Sequence, residues 1–318
     1  MKWYIKEMSD VHPENIISNE FLTNLNIGTN NDWILERVGI RERRSILQNE
    51  YLIKTKNNNV LNGISYTHEE TKKLILKCFD KLKNNLNNKI EIDLVIAGSS
   101  GPTRLAPADS ATFANILNLN VPCIDINSAC TSWAAAIHFI KQFSLYKNIL
   151  LINCETPTAR ISYSDRKNCV LVGDCCVMTL LTSDPDGAKY IIDDSIFESN
   201  PSGCDKVVVP IADFFNQDGS AVQKFAISKM SSLYDKLCLN NEDTTFIGHQ
   251  ANLLALNSVV ERSKIINHLT NIEYYGNSFA AGAPSVLSEN FNKITTNYIV
   301  MCLVGSGLSW GAIRLKKV

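Results

Sequence analysis

Apolar runs of strand length alternate along the chain with stretches whose apolar positions recur at helical spacing. Glu91–Ser100, "EIDLVIAGSS", reads as a buried strand ending in small residues, "DSATFANILNLN" as a helix and "VPCIDIN" as the next strand. The stretch Ile126–Phe143, "INSACTSWAAAIHFIKQF", then supplies a helix of about four turns, with Ala134, Ile137, Ile140 and Lys141 at helical spacing. "NILLINCET" is a further strand, and "CVLVGDCCVMTLLTS" another, interrupted by a Gly-Asp turn. Later, "DTTFIGHQANLLALNSVVERSKII" repeats the order of strand, polar junction and helix. "YIVMCLVGSGLSWGAIRLKKV" closes the chain as two strands around a Gly-rich bend. This alternation predicts an α/β protein with a largely buried sheet. It also predicts two halves that echo each other, divided within residues 165–190 and written as 1–165 and 166–318. The Asn-rich segments Lys54–Gly63 and Asn84–Asn88 read as exposed loops or helix ends.

The 318 residues are 45% hydrophobic and 20% charged, with a net charge of -1, a composition sufficient for a large core or two adjoining ones. Near-neutral charge gives no reason to expect nucleic acid or a membrane surface as a partner. No apolar run approaches the roughly 18 residues of a spanning helix, and "MKWYIKEMSD" lacks the apolar centre of a secretion signal. A cytoplasmic location is expected. The ten cysteines contain no Cys-x-x-Cys pair and no zinc-type spacing with histidine, so reduced, mostly buried thiols and no metal are expected.

One thiol differs in position. Cys130 follows a strand and opens a helix, where unpaired N–H groups and the macrodipole favour an anion and lower a thiol pKa. A nucleophile there needs groups that manage protons and hold an oxyanion. His249, in "FIGHQANLL", occupies a matching strand-to-helix junction. His12, His68, His138 and His268 read instead as surface or gap-filling residues. Asn277, in "EYYGNSFAAGAPS", offers an amide that donates hydrogen bonds without changing protonation state. Taken alone, it reads more readily as part of a Gly-Asn turn than as a catalyst.

In this order and spacing, Cys130, "GHQAN" and "YYGNS" resemble the Cys-His-Asn triad of the ketoacyl synthase III family in the thiolase superfamily. "NNDWILERVGIRER", "DRKNCVLVGD" and "GSGLSWGAIRL" resemble three further motifs of that family, so the resemblance covers nearly the whole chain. It implies a thiolase-like five-layer αβαβα fold of two related halves, normally a homodimer. Cys130 would accept an acyl group from a coenzyme A thioester. His249 and Asn277 would support decarboxylation of a malonyl thioester, whose carbanion attacks the acyl-enzyme. The backbone N–H groups of Cys130 and Ser306 would hold the acyl oxyanion. Trp33 and Arg166 would flank the adenine, with Arg37 near phosphate and Asn252 also on the coenzyme A side. The resemblance implies no permanently bound cofactor.

Four departures from the family pattern bear on specificity. "CTSW" adds hydroxyls and the bulky Trp133 after Cys130, altering packing at the acyl pocket. Ala106 replaces a Phe that reaches the neighbouring subunit's acyl pocket, which implies room for a longer or branched chain. Leu253-Leu254 and Glu261 stand where basic residues help dock acyl carrier protein, which weakens attraction to an acidic carrier. Gly305-Ser306-Gly307 replaces an all-glycine bend. The expected function is therefore an acyltransferase of specialised metabolism using acyl-CoA and a malonyl thioester. Acyl transfer to a small-molecule acceptor without decarboxylation is the alternative, and a non-catalytic partner subunit a second one.

Overall fold

The computed structural model describes residues 1–88, 90–102 and 104–318. Two five-stranded sheets joined edge to edge are built from β1 (Tyr4–Val11), β2 (Leu94–Gly98), β3 (Cys123–Ile126), β4 (Asn148–Glu155), β5 (Cys175–Thr182), β6 (Tyr190–Ser199), β7 (Thr244–Gly248), β8 (Asn267–His268), β9 (Tyr298–Gly305) and β10 (Ser309–Lys317). The spatial order is β8-β7-β9-β10-β6-β1-β5-β4-β2-β3. Each run of five strands has the same order: third, second, fourth, fifth, first. The pairing directions also repeat. The third, second and fourth strands are mutually parallel, and the fifth is antiparallel to both the fourth and the first. The two units join where β1 pairs with β6, Tyr4 opposite Ile191 and Ile5 opposite Tyr190. Because β5 completes the first unit, we assign the division to the connection between Thr182 and Tyr190 rather than to residue 165.

The principal helices are α1 (Asn31–Val38), α2 (Val60–Asn85), α3 (Asp109–Ile116), α4 (Ser132–Phe139), α5 (Gly219–Leu237), α6 (Leu253–Arg262) and α7 (Phe279–Asn290). α4 lies in the first unit's sequence but packs on β10 and β6 of the second as well as on β2. α7 conversely packs on β5, β1 and β4 of the first. Both are therefore shared between the sheets. α2 and α3 cover the outer face of the first sheet, and α5 the outer face of the second, with α6 packed against α5. The result is the thiolase-like αβαβα arrangement. Buried apolar residues accordingly form one cluster between the sheets, around Trp133, Ile137, Val286 and Met301, and another beneath the outer helices. No helix among the described residues is long and apolar enough to cross a membrane.

Local chemistry adjusts several expected boundaries. Strand Glu91–Ser100 narrows to Leu94–Gly98, since the Asp93 carboxylate turns aside to accept the N–H groups of Lys147 and Asn148, both at 2.9 Å. The strand expected before the Gly-Asp turn does not form. Asp165 instead caps a short helix at Arg166–Cys169, accepting from Lys167 N. The helix expected over Ile126–Phe143 has its α-helical part at Ser132–Phe139, flanked by 3-10 turns at Ala129–Thr131 and Ile140–Gln142. Nor is the Asn-rich Lys54–Gly63 segment wholly exposed. Asn57 is fully buried and donates to the carbonyls of Ala159 (3.1 Å) and Ile161 (2.9 Å).

Candidate active site

The strand ends of both units converge on Cys130, which is 7% exposed in the turn before α4. Preceding it, Ala129 adopts φ +48°, a left-handed conformation that makes the turn sharp. The hydroxyls of "CTSW" fasten this turn. Ser132 Oγ accepts from Ser128 N at 2.9 Å and lies 3.1 Å from Ser99 O. Thr131 Oγ1 lies 2.7 Å from Ser309 Oγ, which donates to Ser306 O at 2.8 Å. The turn is thus bound to the bend between β9 and β10. Gly305 permits that approach: a Cβ there would stand 3.1 Å from Cys130 N and 3.2 Å from Thr131 N. In the bend, Gly307 carries the positive φ of 127° and Ser306 does not, so serine is tolerated in the middle position.

His249 follows the buried β7 and is 5% exposed; its backbone N–H donates to Cys302 O at 2.8 Å. Burial pushes its pKa down to about 4, so the imidazole is neutral at physiological pH. Its Nδ1 has no hydrogen-bond partner among the described residues. Asn277 comes from the turn before α7. There the left-handed conformation falls on Gly276 (φ +72°), where a Cβ would stand 2.8 Å from Leu171 O. Asn277 is held by Leu171 O on its N–H (2.8 Å) and by Gly173 N on its carbonyl (3.1 Å). Its side-chain Oδ1 accepts from Phe279 N at 3.0 Å, and its Nδ2 has no hydrogen-bond partner among the described residues. The Gly-Asn pair is therefore a turn and a presented amide at once.

Cys130, His249, Asn277 and Ser306 line one inner chamber of about 50 Å³. It adjoins an outer cleft of about 420 Å³ lined by Trp33, Arg37, Arg166 and Asn252. Gln217, Val222, Ala226, Ala251 and Asn277 belong to both walls, so the outer cleft leads to the thiol. The residues expected on the coenzyme A side thus share one entrance. Arg166 sits over the Trp33 indole at 4.9 Å and donates to Gly28 O; Arg37 lies 5.7 Å from the same ring. A base inserted between indole and guanidinium needs about 7 Å, twice the stacking contact distance, so Arg166 must swing outward to admit one. Asn252 is largely committed: Oδ1 caps α6 at Leu254 N and Ala255 N, and Nδ2 donates to Arg37 O at 3.1 Å.

Two expected acyl-pocket residues line neither cavity. Trp133 is fully buried between the sheets, with Nε1 donating to Thr179 Oγ1 at 3.1 Å, because helical spacing turns it away from Cys130 into the middle layer. Ala106 is exposed outside both cavities. The depressed thiol pKa expected from the helix start is also overturned. Burial, with the Glu155 carboxyl adding to it, pushes Cys130 up to about 12, so desolvation outweighs the helix terminus and the resting group is a thiol.

The description 3-oxoacyl-[acyl-carrier-protein] synthase III fits residues 124–201, and its C-terminal counterpart fits residues 236–317. A beta-ketoacyl-[acyl-carrier-protein] synthase III of Clostridium perfringens is 30% identical, with 96% of each chain covered. The chain belongs to the 3-oxoacyl-[acyl-carrier-protein] synthase III family. A Syntrophomonas wolfei protein of the same description is 28% identical over 99% of this chain and 98% of its own. The fold matches the crystal structure of the Pseudomonas aeruginosa synthase III with TM-score 0.81, at 22% identity and over 99% and 98% of the two chains. This family member is accordingly an acyltransferase of the condensing type.

Three further residues support the site without belonging to any of the expected motifs' chemistry. Arg43 is fully buried, and its guanidinium donates to Val170 O (2.6 and 2.9 Å) and to Asn19 Oδ1, bracing the segment that holds Asn277. The partners in its shortest bonds, Val170 and Asn19, are distant in sequence, so no local pattern marks it. Gln217 sits where the two cavities meet, in a segment without periodicity. Glu155 did leave a signal: it is a carboxylate closing the apolar run "NILLINCE", and it is 3% exposed.

Proposed function

We propose that Cys130 takes an acyl group from an acyl-CoA and that His249 and Asn277 then bind the thioester oxygen of a malonyl unit as it becomes an enolate. Carbon dioxide leaves, and the carbanion attacks the acyl-enzyme. One observation carries the reading: Oδ1 of Asn277 accepts from Phe279 N while its Nδ2 makes no hydrogen bond among the described residues, so an amide donor and a neutral imidazole share one small chamber with Cys130. Two neutral donors suit charge that develops only in the transition state. The N–H groups of Cys130 and Ser306 hold the acyl oxyanion in the same reading.

Trp33, Arg37 and Arg166 at the entrance favour an adenine-bearing, phosphate-bearing donor. The relatives' names include an acyl carrier protein, and a malonyl group carried on such a protein is compatible with this site. Leu254 in place of a basic residue and the exposed Glu261 on α6 weaken that attraction and favour free coenzyme A thioesters in specialised metabolism. A homodimer is supported by β3, an edge strand with Ile124 exposed; across it Ala106 would reach the second copy's acyl chain. The ten free cysteines accord with a cytoplasmic location.

The test is intact mass after incubation with a panel of acyl-CoAs, followed by malonyl-CoA with carbon dioxide measured. A mass increase absent in Cys130→Ala, then stoichiometric carbon dioxide, supports the full sequence. Acylation without carbon dioxide release moves the assignment to transfer onto a small-molecule nucleophile, and no adduct from any thioester removes it.

A further inference from the structure

The Cys130 proton must leave before sulfur can attack, and the neighbouring imidazole is a poor recipient. Burial holds His249 near 4 and raises Cys130 to about 12. A different pair of groups approaches the thiol from the first unit. Glu155, at the end of β4, is 3% exposed and accepts from Ser100 N at 2.7 Å. The Ser100 hydroxyl is fully buried and close enough to influence both the Cys130 thiol and the Glu155 carboxyl, yet makes no hydrogen bond among the described residues. An orphaned buried hydroxyl is costly, and this one stands between a proton donor and a proton acceptor. Its loop is fixed there. Ser132 Oγ lies 3.1 Å from Ser99 O, and Asn153 Nδ2 donates to Gly98 O at 2.7 Å. At Gly98 a Cβ would stand 3.2 Å from Ser132 Cβ, so β2 presses directly on the start of α4.

We propose that Ser100 and Glu155 form a proton relay for Cys130. The Ser100 hydroxyl takes the thiol proton while passing its own to the Glu155 carboxylate. The sulfur lone pair forms the new C–S bond, the thioester C–S bond breaks, and the departing thiolate regains a proton from Glu155 by the reverse path. The relay rests on the acyl-Cys130 reading above. Cys130, Asp109 at the start of α3, Arg160 after β4 and Cys175 opposite on β5 surround Glu155. Arg160 donates to the carbonyls of Pro102, Pro210 and Ile211, so its hydrogen bonds go elsewhere. Burial, reinforced by Asp109, raises Glu155 to about 8. That makes it far better matched to a thiol than His249 is.

The experiment measures alkylation of Cys130 by iodoacetamide from pH 6 to 10, alongside acyl-CoA adduct formation, in the wild type, Ser100→Ala and Glu155→Gln. Both variants should lose a rate step near pH 8, with alkylation there falling on the order of 10²-fold, the usual span of general base assistance. Two results overturn the relay: unchanged profiles in folded variants, or faster alkylation in Glu155→Gln, the signature of a carboxylate that only repels the thiolate. Ser100→Ala removes one oxygen, so it keeps the test available should Glu155→Gln fail to fold. Alkylation needs no thioester. A relay that passes while no acyl adduct forms therefore separates failure of the acyl-CoA reading from failure of this one.

Discussion

Gly305→Ala tests whether contact between the two units sets the thiol's position. The new methyl would lie 3.1 Å from Cys130 N, 3.2 Å from Cys130 Cβ and 3.2 Å from Thr131 N, each several tenths of an ångström inside comfortable contact. None of these atoms is the free end of a flexible side chain, and Thr131, Ser132 and Ser309 pin the turn that contains all three. Gly305 has no positive φ, so alanine adds bulk without backbone strain. Overpacking of this kind costs about 1–3 kcal/mol, which lowers Tm by about 2–4 °C for a chain of this size. The least resisted relief moves the Cys130 turn by a few tenths of an ångström. Misplacement by 1 Å costs about 10²-fold, so single-turnover acylation should slow by about tenfold. Calorimetry gives the first quantity and time-resolved intact mass the second. An alanine variant with unchanged Tm and acylation rate would falsify the claim that this contact positions the nucleophile.

Three further outcomes follow from named groups. His249→Ala and Asn277→Ala should each reduce carbon dioxide release from malonyl-CoA on the order of 10²-fold or more while Cys130 still acylates; equal loss of both half-reactions contradicts the division of labour. The folded pKa of His249 lies near 4, below its ordinary value, so the unfolded chain binds the extra proton. Its contribution is present above about 6.5 and lost as pH falls toward 4, roughly 3 kcal/mol in all. Denaturant titrations at pH 7 and pH 4.5 should therefore show a smaller acid loss in His249→Gln than in the wild type. Arg43→Met keeps much of the volume but orphans the Val170 carbonyl, at a cost of about 3 kcal/mol. The same change should slow decarboxylation through Asn277 more than it slows acylation, and a wild-type urea midpoint would refute the bracing role.

The chain's own pattern determined much of this protein. The alternation of apolar runs required an α/β fold, and the junctions carrying Cys130 and His249 were legible because strand ends and helix starts are local events. Asn277 was harder, since its turn signal and its chemical use coincide in one residue. β1 and β6 escaped notice, although their pairing joins the two units, because pairing partners lie far apart in sequence. The helical spacing that signalled α4 could not say that Trp133 points into the layer between the sheets, because Ser132–Ile137 are all buried and no polar face orients them. Only the tertiary structure decided the proton chemistry. A helix start favours a thiolate, but packing removed the water that would stabilise one, leaving Cys130 a thiol and His249 neutral. Local sequence fixes where a group is attached. Desolvation and the approach of Ser100, Glu155 and Gly305 depend on segments that meet only after folding.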